Sequence, residues 1–402
     1  MPHGGGRIAS DEMTPMGKTK IEWCDYVFNG WSGCTKVSPG CAHCYAEALS
    51  KRAPKVIGQW GPGAPRRRTS ADYWKEPVKW NKRAGLFVEC GNGHRWQAKH
   101  QDQEGFCPEC GHPESVQVRP RVFCLSLGDW LDPEVPIAWL GDMLNVWRLC
   151  TNLNILALTK RPELWRSRIE AVSAYLDAAR PLDASGTDHD CTQGMVHAWL
   201  NGTPPDNVWI GASVEDQPRA DERIPELLAI PARVRFLSCE PLLSGVDLSQ
   251  WIGCYQGRAW SDKSGGKTQQ SCNSEDSSRV QVGAGDTTES CRSLRGSVPD
   301  DLKNSQRRNQ DETERSDGEL CEPTKPSEQA PKQRREIHQV ICGGESGPKA
   351  RPMHPDWARS LRDQCAAAGV PFFFKQIMVD GRMVHLPMLD GRQWKEFPHA
   401  IS

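Results

Sequence analysis

The stretch NILALTKRP, residues 154–162, decides the fold of this chain. Its apolar residues run without a polar break from Ile155 to Leu158, and Lys160 and Arg161 follow directly. A short continuous apolar run is typical of a strand that is buried on both faces, as strands are in parallel sheets. The stretch therefore predicts a buried parallel strand that ends in charged residues.

Five further stretches have the same form, and helix-like segments lie between them. They are RVFCLSLGDW (121–130), NVWIGASVED (207–216), RVRFLSCEPLL (233–243), HQVICGGESG (338–347) and VPFFFKQ (370–376). The last helix-like segment has Trp357, Leu361 and Cys365 at helical spacing, and Gly369 stands where the helix should end. Strands that alternate with helices predict a parallel sheet, either open or closed into a barrel.

Charged residues end each of these runs. In parallel α/β folds the chemistry lies at the carboxyl ends of the strands, so these side chains should meet on one rim. They are Asp129, Lys160, Arg161, Glu215, Glu240, Glu345 and Lys375. We predict that this rim is the functional site. The alternative is that the strands simply end in polar residues at the surface.

Length and composition restrict the class of protein. The chain has 402 residues and a net charge of −1, so it offers a large core and no global basic field for nucleic acid. It contains no apolar run of about 18 residues and begins without an apolar signal region, so we expect a cytoplasmic protein that does not enter membranes. In a reducing compartment its 17 cysteines indicate metal ligands and buried thiols rather than disulfides.

Two segments interrupt the strand pattern. Residues 254–336 contain no Phe, Ile or Met and are rich in polar and charged residues, which predicts disorder. Residues 183–206, which carry His189 and Cys191, are expected to form a polar loop. The predicted organisation is a flexible tail (1–17), the start of the barrel (18–85), a zinc-ribbon insertion (86–118), more barrel (119–253), the disordered insertion (254–336) and the last part of the barrel (337–402).

The insertion at residues 86–118 carries its own cysteine cluster. CGNGHRW and CPECGH supply Cys90, His94, Cys107 and Cys110. Four ligands in two knuckles indicate a closed tetrahedral zinc site of the ribbon type. Because so short a segment cannot fold on apolar burial alone, we expect the zinc to be structural. His112 is an alternative ligand.

A second group of cysteines lies in GCTKVSPGCAHCYAE, residues 33–47. Cys34, Cys41 and Cys44 stand on a loop ahead of a short helix, and Pro39 and Gly40 favour the loop. Three thiolates suit a 4Fe–4S cluster that keeps one iron open. The alternatives are buried thiols or a zinc site that is completed by His43 or by a distant ligand such as Cys24.

The triplet resembles the cysteine motif of the radical S-adenosylmethionine (radical SAM) superfamily, with a longer first gap. That resemblance implies a partial (β/α) barrel in which Cys34, Cys41 and Cys44 hold the cluster and the open iron binds S-adenosylmethionine. The superfamily also has a Gly-Gly-Glu motif that helps to hold the cofactor. Here Gly343, Gly344 and Glu345 form this motif, but near the end of the chain. Outside the two insertions, the chain resembles an uncharacterised family of bacteriophage and prophage proteins in the runs TKIEW, GCTKVSPGCAHCYAE, LTKRP, SVEDQ, FLSCEPLL, CGGESGPKARPMHPDW and GVPFFFKQ.

These observations lead to two hypotheses about function. The first is a radical SAM-type iron–sulfur enzyme that acts on nucleic acid or a nucleotide and needs an electron donor. In it Glu215, Glu240, Glu345, Lys160 and Lys375 would be catalytic, and Asp129 would join Gly343 and Gly344 in binding the cofactor. The second is a non-catalytic zinc protein that binds nucleic acid.

Overall fold

The computed structural model describes residue 19 and residues 21–97, 106–113, 115–179, 188–252, 336–347 and 349–398. The predicted N-terminal tail lies outside these residues, and so does the predicted disordered insertion apart from Glu336. None of the helices among the described residues is long and apolar enough to cross a bilayer.

The described chain contains fifteen strands, seven α-helices and short 3-10 turns. The strands are β1 (Tyr26–Phe28), β2 (Trp31–Ser32), β3 (Arg67–Arg68), β4 (Phe87–Cys90), β5 (Arg95–Gln97), β6 (Ser115–Gln117), β7 (Arg121–Cys124), β8 (Asn154–Thr159), β9 (Val208–Ser213), β10 (Val234–Cys239), β11 (Gln339–Gly343), β12 (Phe372–Val379), β13 (Arg382–His385), β14 (Met388–Leu389) and β15 (Arg392–Gln393). The helices are α1 (Tyr45–Arg52), α2 (Glu76–Arg83), α3 (Ile137–Leu149), α4 (Trp165–Ala179), α5 (Asp188–Leu200), α6 (Gln217–Ala229) and α7 (Pro355–Ala368).

Eight strands form the main sheet in the order β1-β7-β8-β9-β10-β11-β12-β13. All neighbouring pairs are parallel except β12 and β13, which form an antiparallel hairpin. Because each parallel strand from β7 to β12 lies beside its predecessor, right-handed connections put helices α3 to α7 on the same face and the sheet curls. The predicted partial barrel is therefore confirmed as a curled, mostly parallel half-barrel.

The two faces of the sheet belong to two separate apolar clusters. The larger one joins the helices to alternate strand residues such as Val122, Ile155 and Val340. The smaller one contains no helix residue and fills the concave face with large side chains, among them Phe123, Leu156, Trp209, Phe236, Ile341 and Phe373. Strands buried on both faces explain why their sequences are continuously apolar rather than alternating.

The ribbon insertion forms a separate antiparallel sheet of three strands in the order β5-β4-β6. It lies against the start of the half-barrel, where Arg95 forms an ion pair of 3.1 Å with Asp25, just before β1. Beside this pair, Tyr26 of β1 packs against Phe87 of β4 with the ring centroids 6.2 Å apart. These contacts attach the insertion to the edge strand of the main sheet.

The predicted polar loop at residues 183–206 is wrong in part, because α5 occupies Asp188–Leu200. Val196 and Trp199 of this helix are fully buried, and Trp199 stacks against Trp130. The helical spacing of these apolar residues was present in the sequence, but the polar DHDC start and Gly194 obscured it. Tertiary packing of one apolar face is what stabilises a short helix of this kind.

Candidate active site

A cavity of about 550 Å³ opens at the carboxyl ends of the parallel strands. Its wall includes all three cysteines of the loop, together with Asp129, Lys160, Arg161, Glu240, Gly344, Glu345 and Lys375. The cavity is large enough for a small-molecule ligand or cofactor. Six of the seven residues of the predicted rim, all except Glu215, thus line one concave site rather than separate parts of the surface.

Alternation along the strands explains how the polar wall arises. The concave apolar cluster includes Leu156, Trp209, Phe236 and Ile341, and two of its other members, Trp23 and Phe123, line the cavity. Because side chains two and four residues further along a strand point to the same face, the next inward positions lie above this cluster. Four residues further along stand the cavity-lining residues Lys160, Ser213, Glu240 and Glu345. A polar layer therefore covers a layer of large apolar side chains.

The loop that carries the cysteines runs from β2 to α1 and covers part of this polar layer. Cys34 follows β2, Cys41 ends a single 3-10 turn, and Cys44 is the residue before α1. The predicted helix after the cysteines is confirmed as α1. All three thiols are only partly buried, and their side chains line the same cavity.

Arg161 connects this loop to the strand ends. Its guanidinium donates to Asp129 Oδ2 at 2.9 Å and to the Thr35 carbonyl at 2.7 Å, and its two terminal nitrogens lie 3.6 and 3.7 Å from Cys34 Sγ. Thr159 also donates to Asp129, at 2.7 Å. Burial raises the pKa of Cys34 to about 12 and the Asp129 charge adds to this, while Arg161 opposes it. The arrangement directs a fixed positive charge at one of the three sulfurs.

Two buried carboxylates hold the far end of the loop. Glu215 is fully buried, pairs with Arg223 at 2.9 Å, and accepts the Gly40 amide at 3.2 Å. A Cβ on Gly40 would lie 2.9 Å from the Glu215 carboxylate, so the backbone can approach this closely only at a glycine. Glu215 is not among the residues that line the cavity. It supports the loop from behind.

Glu345 performs the corresponding task on the other side of the loop. It accepts from the backbone and the Nε of Arg351, both at 2.9 Å, and lies 2.9 Å from His43 Nδ1. Arg351 in turn donates to the Pro39 carbonyl at 3.0 Å. Burial raises the pKa of Glu345, but the hydrogen bonds from Arg351 and His43 outweigh it and lower the pKa to about 2. Glu345 is therefore a charged carboxylate at neutral pH.

Glu240 and Lys375 form a third pair, within the cavity. Their charged atoms are 3.1 Å apart, and Ser238 donates a longer bond of 3.4 Å to the other oxygen of Glu240. A Cβ on Gly343 would stand 2.5 Å from Glu240 Oε1, so this glycine leaves the space that the carboxylate occupies. Gly343 does not itself line the cavity, whereas Gly344 does.

The ribbon contains the one group among the described residues whose ligand atoms are close enough to bind a single metal ion. Cys90, His94, Cys107 and Cys110 bring their ligand atoms within 4.8 Å of one another. Gly93 and Gly111, with φ of 75° and 69°, form the tight turns behind the two knuckles. The Asn92 amide donates to Cys110 Sγ at 3.3 Å and lowers the pKa of that thiol to about 6. This set could hold a metal ion such as zinc.

Several residues of the site carried no clear signal in the sequence. Ser213 is the last residue of β9 and Ser238 the last but one of β10, and Arg223 and Arg351 lie in a helix and a loop that follow the strand ends. The two serines could have been found from the strand periodicity, because each lies two or four residues after an apolar residue on the concave face of the sheet. The arginines could not be found in this way because their partners are set by tertiary contacts.

Fold and cavity together define an α/β half-barrel protein with a cysteine-bearing loop at the mouth of its cavity and a metal-ligand cluster in an insertion. The chain belongs to the DUF5131 family, described as proteins of unknown function, whose family model matches residues 18–398. No curated protein and no solved structure matches the chain.

Proposed function

We propose that this protein is a radical SAM-type iron–sulfur enzyme and that Cys34, Cys41 and Cys44 hold a 4Fe–4S cluster with one open iron. The observation that carries the proposal is that three thiols of one loop face a single cavity at the carboxyl ends of a parallel half-barrel. Three thiolates match the ligand demand of such a cluster and leave one position for a cofactor. S-adenosylmethionine is the cofactor that the open iron would bind.

The loop cysteines fit a cluster better than a single ion. Within the described parts of the chain, ligand atoms close enough for one ion occur only in the ribbon, so the loop cysteines are spread more widely. Wider spacing suits a cluster, because each cysteine then binds a different iron. Arg161 supports the fit, since its charge beside Cys34 Sγ opposes the rise that burial and Asp129 give the pKa of this thiol, and so acts toward the thiolate that an iron requires.

When bound, the cluster and S-adenosylmethionine would supply one-electron reduction and radical chemistry, with the electron coming from an external donor. The chain's own residues then bind and orient. Glu215 and Glu345 fix the loop, Arg161 fixes Cys34, and the concave apolar layer excludes water from beneath the site. Glu240 and Lys375 are the pair within reach of a substrate, and each can hold a proton or hydrogen-bond a polar group.

A nucleic acid or nucleotide remains our proposal for the substrate. The alternative function is a zinc protein without catalytic activity that binds nucleic acid. One observation favours it, namely the ribbon cluster, which could hold a metal ion that takes no part in catalysis. In both proposals the ribbon zinc is structural, because four protein ligands leave no open position.

The deciding experiment is anaerobic purification and reconstitution of the full-length chain with iron and sulfide. We expect a brown protein with visible cluster absorbance, and we expect Cys34→Ala, Cys41→Ala and Cys44→Ala each to lose that absorbance while the protein stays folded. The three thiols stand outside both apolar clusters, so their removal should leave the free energy of unfolding nearly unchanged. Iron and zinc contents are measured on the same samples.

Cys365→Ala is the matched control, because this buried thiol lies in the core behind the sheet and away from the cavity. It should bind as much iron as the wild type, although it should be less stable. If the three loop variants retain wild-type iron, the cluster assignment is wrong. A colourless wild-type protein that contains only zinc would favour the alternative.

A further inference from the structure

The charges in the cavity wall are not all balanced. Four carboxylates line it, and each has a basic partner: Glu22 has His385, Asp129 has Arg161, Glu240 has Lys375, and Glu345 has Arg351 and His43. Lys36 is also paired, with Glu47 at 2.7 Å. Lys160 differs, because among the residues that the structure describes it forms no ion pair with a carboxylate.

The Lys160 ammonium instead rests on a neutral group. Its Nζ donates to Ser213 Oγ at 2.9 Å, and Ser213 is almost completely buried. An ammonium has three N–H donors, so this bond leaves two of them for a ligand. Ser213 has accepted a hydrogen bond and keeps its own proton to donate. Both residues line the cavity, and so both groups face the space that a ligand would fill.

A partly buried ammonium without a counter-charge is unfavourable unless a ligand supplies the missing charge. We propose that Lys160 and Ser213 form a subsite for an oxyanion, either a phosphate or a carboxylate, on the molecule that this cavity binds. Lys375, which also lines the cavity, is already paired with Glu240, so the site takes one anionic group and not a run of phosphates. This inference needs only the cavity and holds whether or not a cluster is present.

Two ligand pairs test the subsite and distinguish the source of the oxyanion. AMP and adenosine differ by a phosphate, while S-adenosylhomocysteine and 5′-methylthioadenosine differ by the amino-acid end that carries a carboxylate. Binding of each is measured by calorimetric titration of the full-length protein at constant ionic strength. We expect the wild type to bind the member that carries the oxyanion, in at least one pair, about tenfold tighter, as a charged hydrogen bond would give.

Lys160→Gln should abolish that preference, and Lys160→Arg should keep most of it. Lys36→Gln is the matched control, because Lys36 lines the same cavity but is already paired, and its preference should stay within about twofold of the wild type. Melting temperatures of all variants confirm that they are folded. Preference for AMP identifies a phosphate, and preference for S-adenosylhomocysteine identifies a carboxylate.

The proposal is overturned if neither pair shows a preference, if the preference survives Lys160→Gln, or if Lys36→Gln reduces it equally. Iron analysis of the same preparations keeps the two proposals separate. A protein that binds the oxyanion through Lys160 but never takes up iron would refute the radical SAM function and leave the subsite in place.

Discussion

Three consecutive residues of the LTKRP stretch, Thr159, Lys160 and Arg161, contact different parts of the site. Thr159 donates to Asp129, Lys160 reaches Ser213 in the cavity, and Arg161 turns to Cys34 on the covering loop. The side chains of residues 159 and 161 and the backbone amide of residue 160 all donate to the Asp129 carboxylate, whereas the side chain of residue 160 reaches Ser213 instead. The alternation of a strand end thus separates the residue that contacts the loop from the residue that is free for a ligand.

Glu345 allows a test of stability at this scale. Its pKa of about 2, against an ordinary 4.5, means that folding favours the charged form, so its contribution is complete above about pH 4.5 and is lost as the pH falls through about 2. We expect Glu345→Gln to lower the free energy of unfolding by about 3 kcal/mol at pH 7. The difference from the wild type should shrink below pH 4.5 and vanish near pH 2, measured by urea unfolding across pH.

Glu170→Gln is the control for this measurement, because Glu170 is exposed and pairs with the exposed Arg166 at 3.3 Å. Such a surface pair contributes little, so its removal should have almost no effect at any pH. If Glu345→Gln were as stable as the wild type at pH 7, the carboxylate would not be an anchor of the loop, and a role in ligand binding would be favoured instead.

At the scale of elements, the sequence predicted the six buried strands β7 to β12 and their charged ends, because continuous apolar runs have few other interpretations. It missed β1, which has three residues, and it missed β13, a short strand that forms a hairpin with β12. It also missed the anchoring roles of Glu215 and Glu345. Those depend on Arg223 and Arg351, which tertiary contacts bring beside them.

The ribbon is the element for which metal should decide folding. His94 belongs to the ligand group, whereas His112 does not, although it packs against Gly91. We therefore expect His94→Ala to lose zinc and to expose residues 86–118 to limited proteolysis, because a short insertion depends on its metal. His112→Ala should keep its zinc. Equal zinc contents in the two variants would show that the ligand set is wrong.

At the scale of the whole molecule, the order of the strands in the sheet shows where the chain can be shortened without loss of the fold. Strands β10 and β11 are parallel neighbours with Phe236 opposite Gln339, yet almost a hundred residues separate them in sequence. Ile252 and Ile337, close to the two ends of the undescribed segment, are both buried in the same core cluster. Residues 240–252 therefore provide most of the connection from β10 to β11 that the fold requires.

We expect a chain in which residue 255 is joined to residue 336 to fold with nearly the wild-type stability. Residues 240–252 already supply about the dozen residues that a parallel connection requires, and closure entropy changes slowly with loop length, so the change should be within about 2 kcal/mol. Thermal unfolding and iron uptake of this deletion variant test the expectation. A variant that fails to fold would show that the removed segment is part of the structure.

The anchoring of the cysteine loop has a consequence for the order in which the protein is made. Gly40 meets Glu215, which lies 175 positions later, and His43 meets Glu345, which lies 302 positions later. A ribosome therefore releases all three loop cysteines long before it has made either carboxylate that fixes the loop. The nascent chain carries exposed thiols without their supports, and any metal that the loop takes up in its final geometry must arrive after Glu345 has been synthesised.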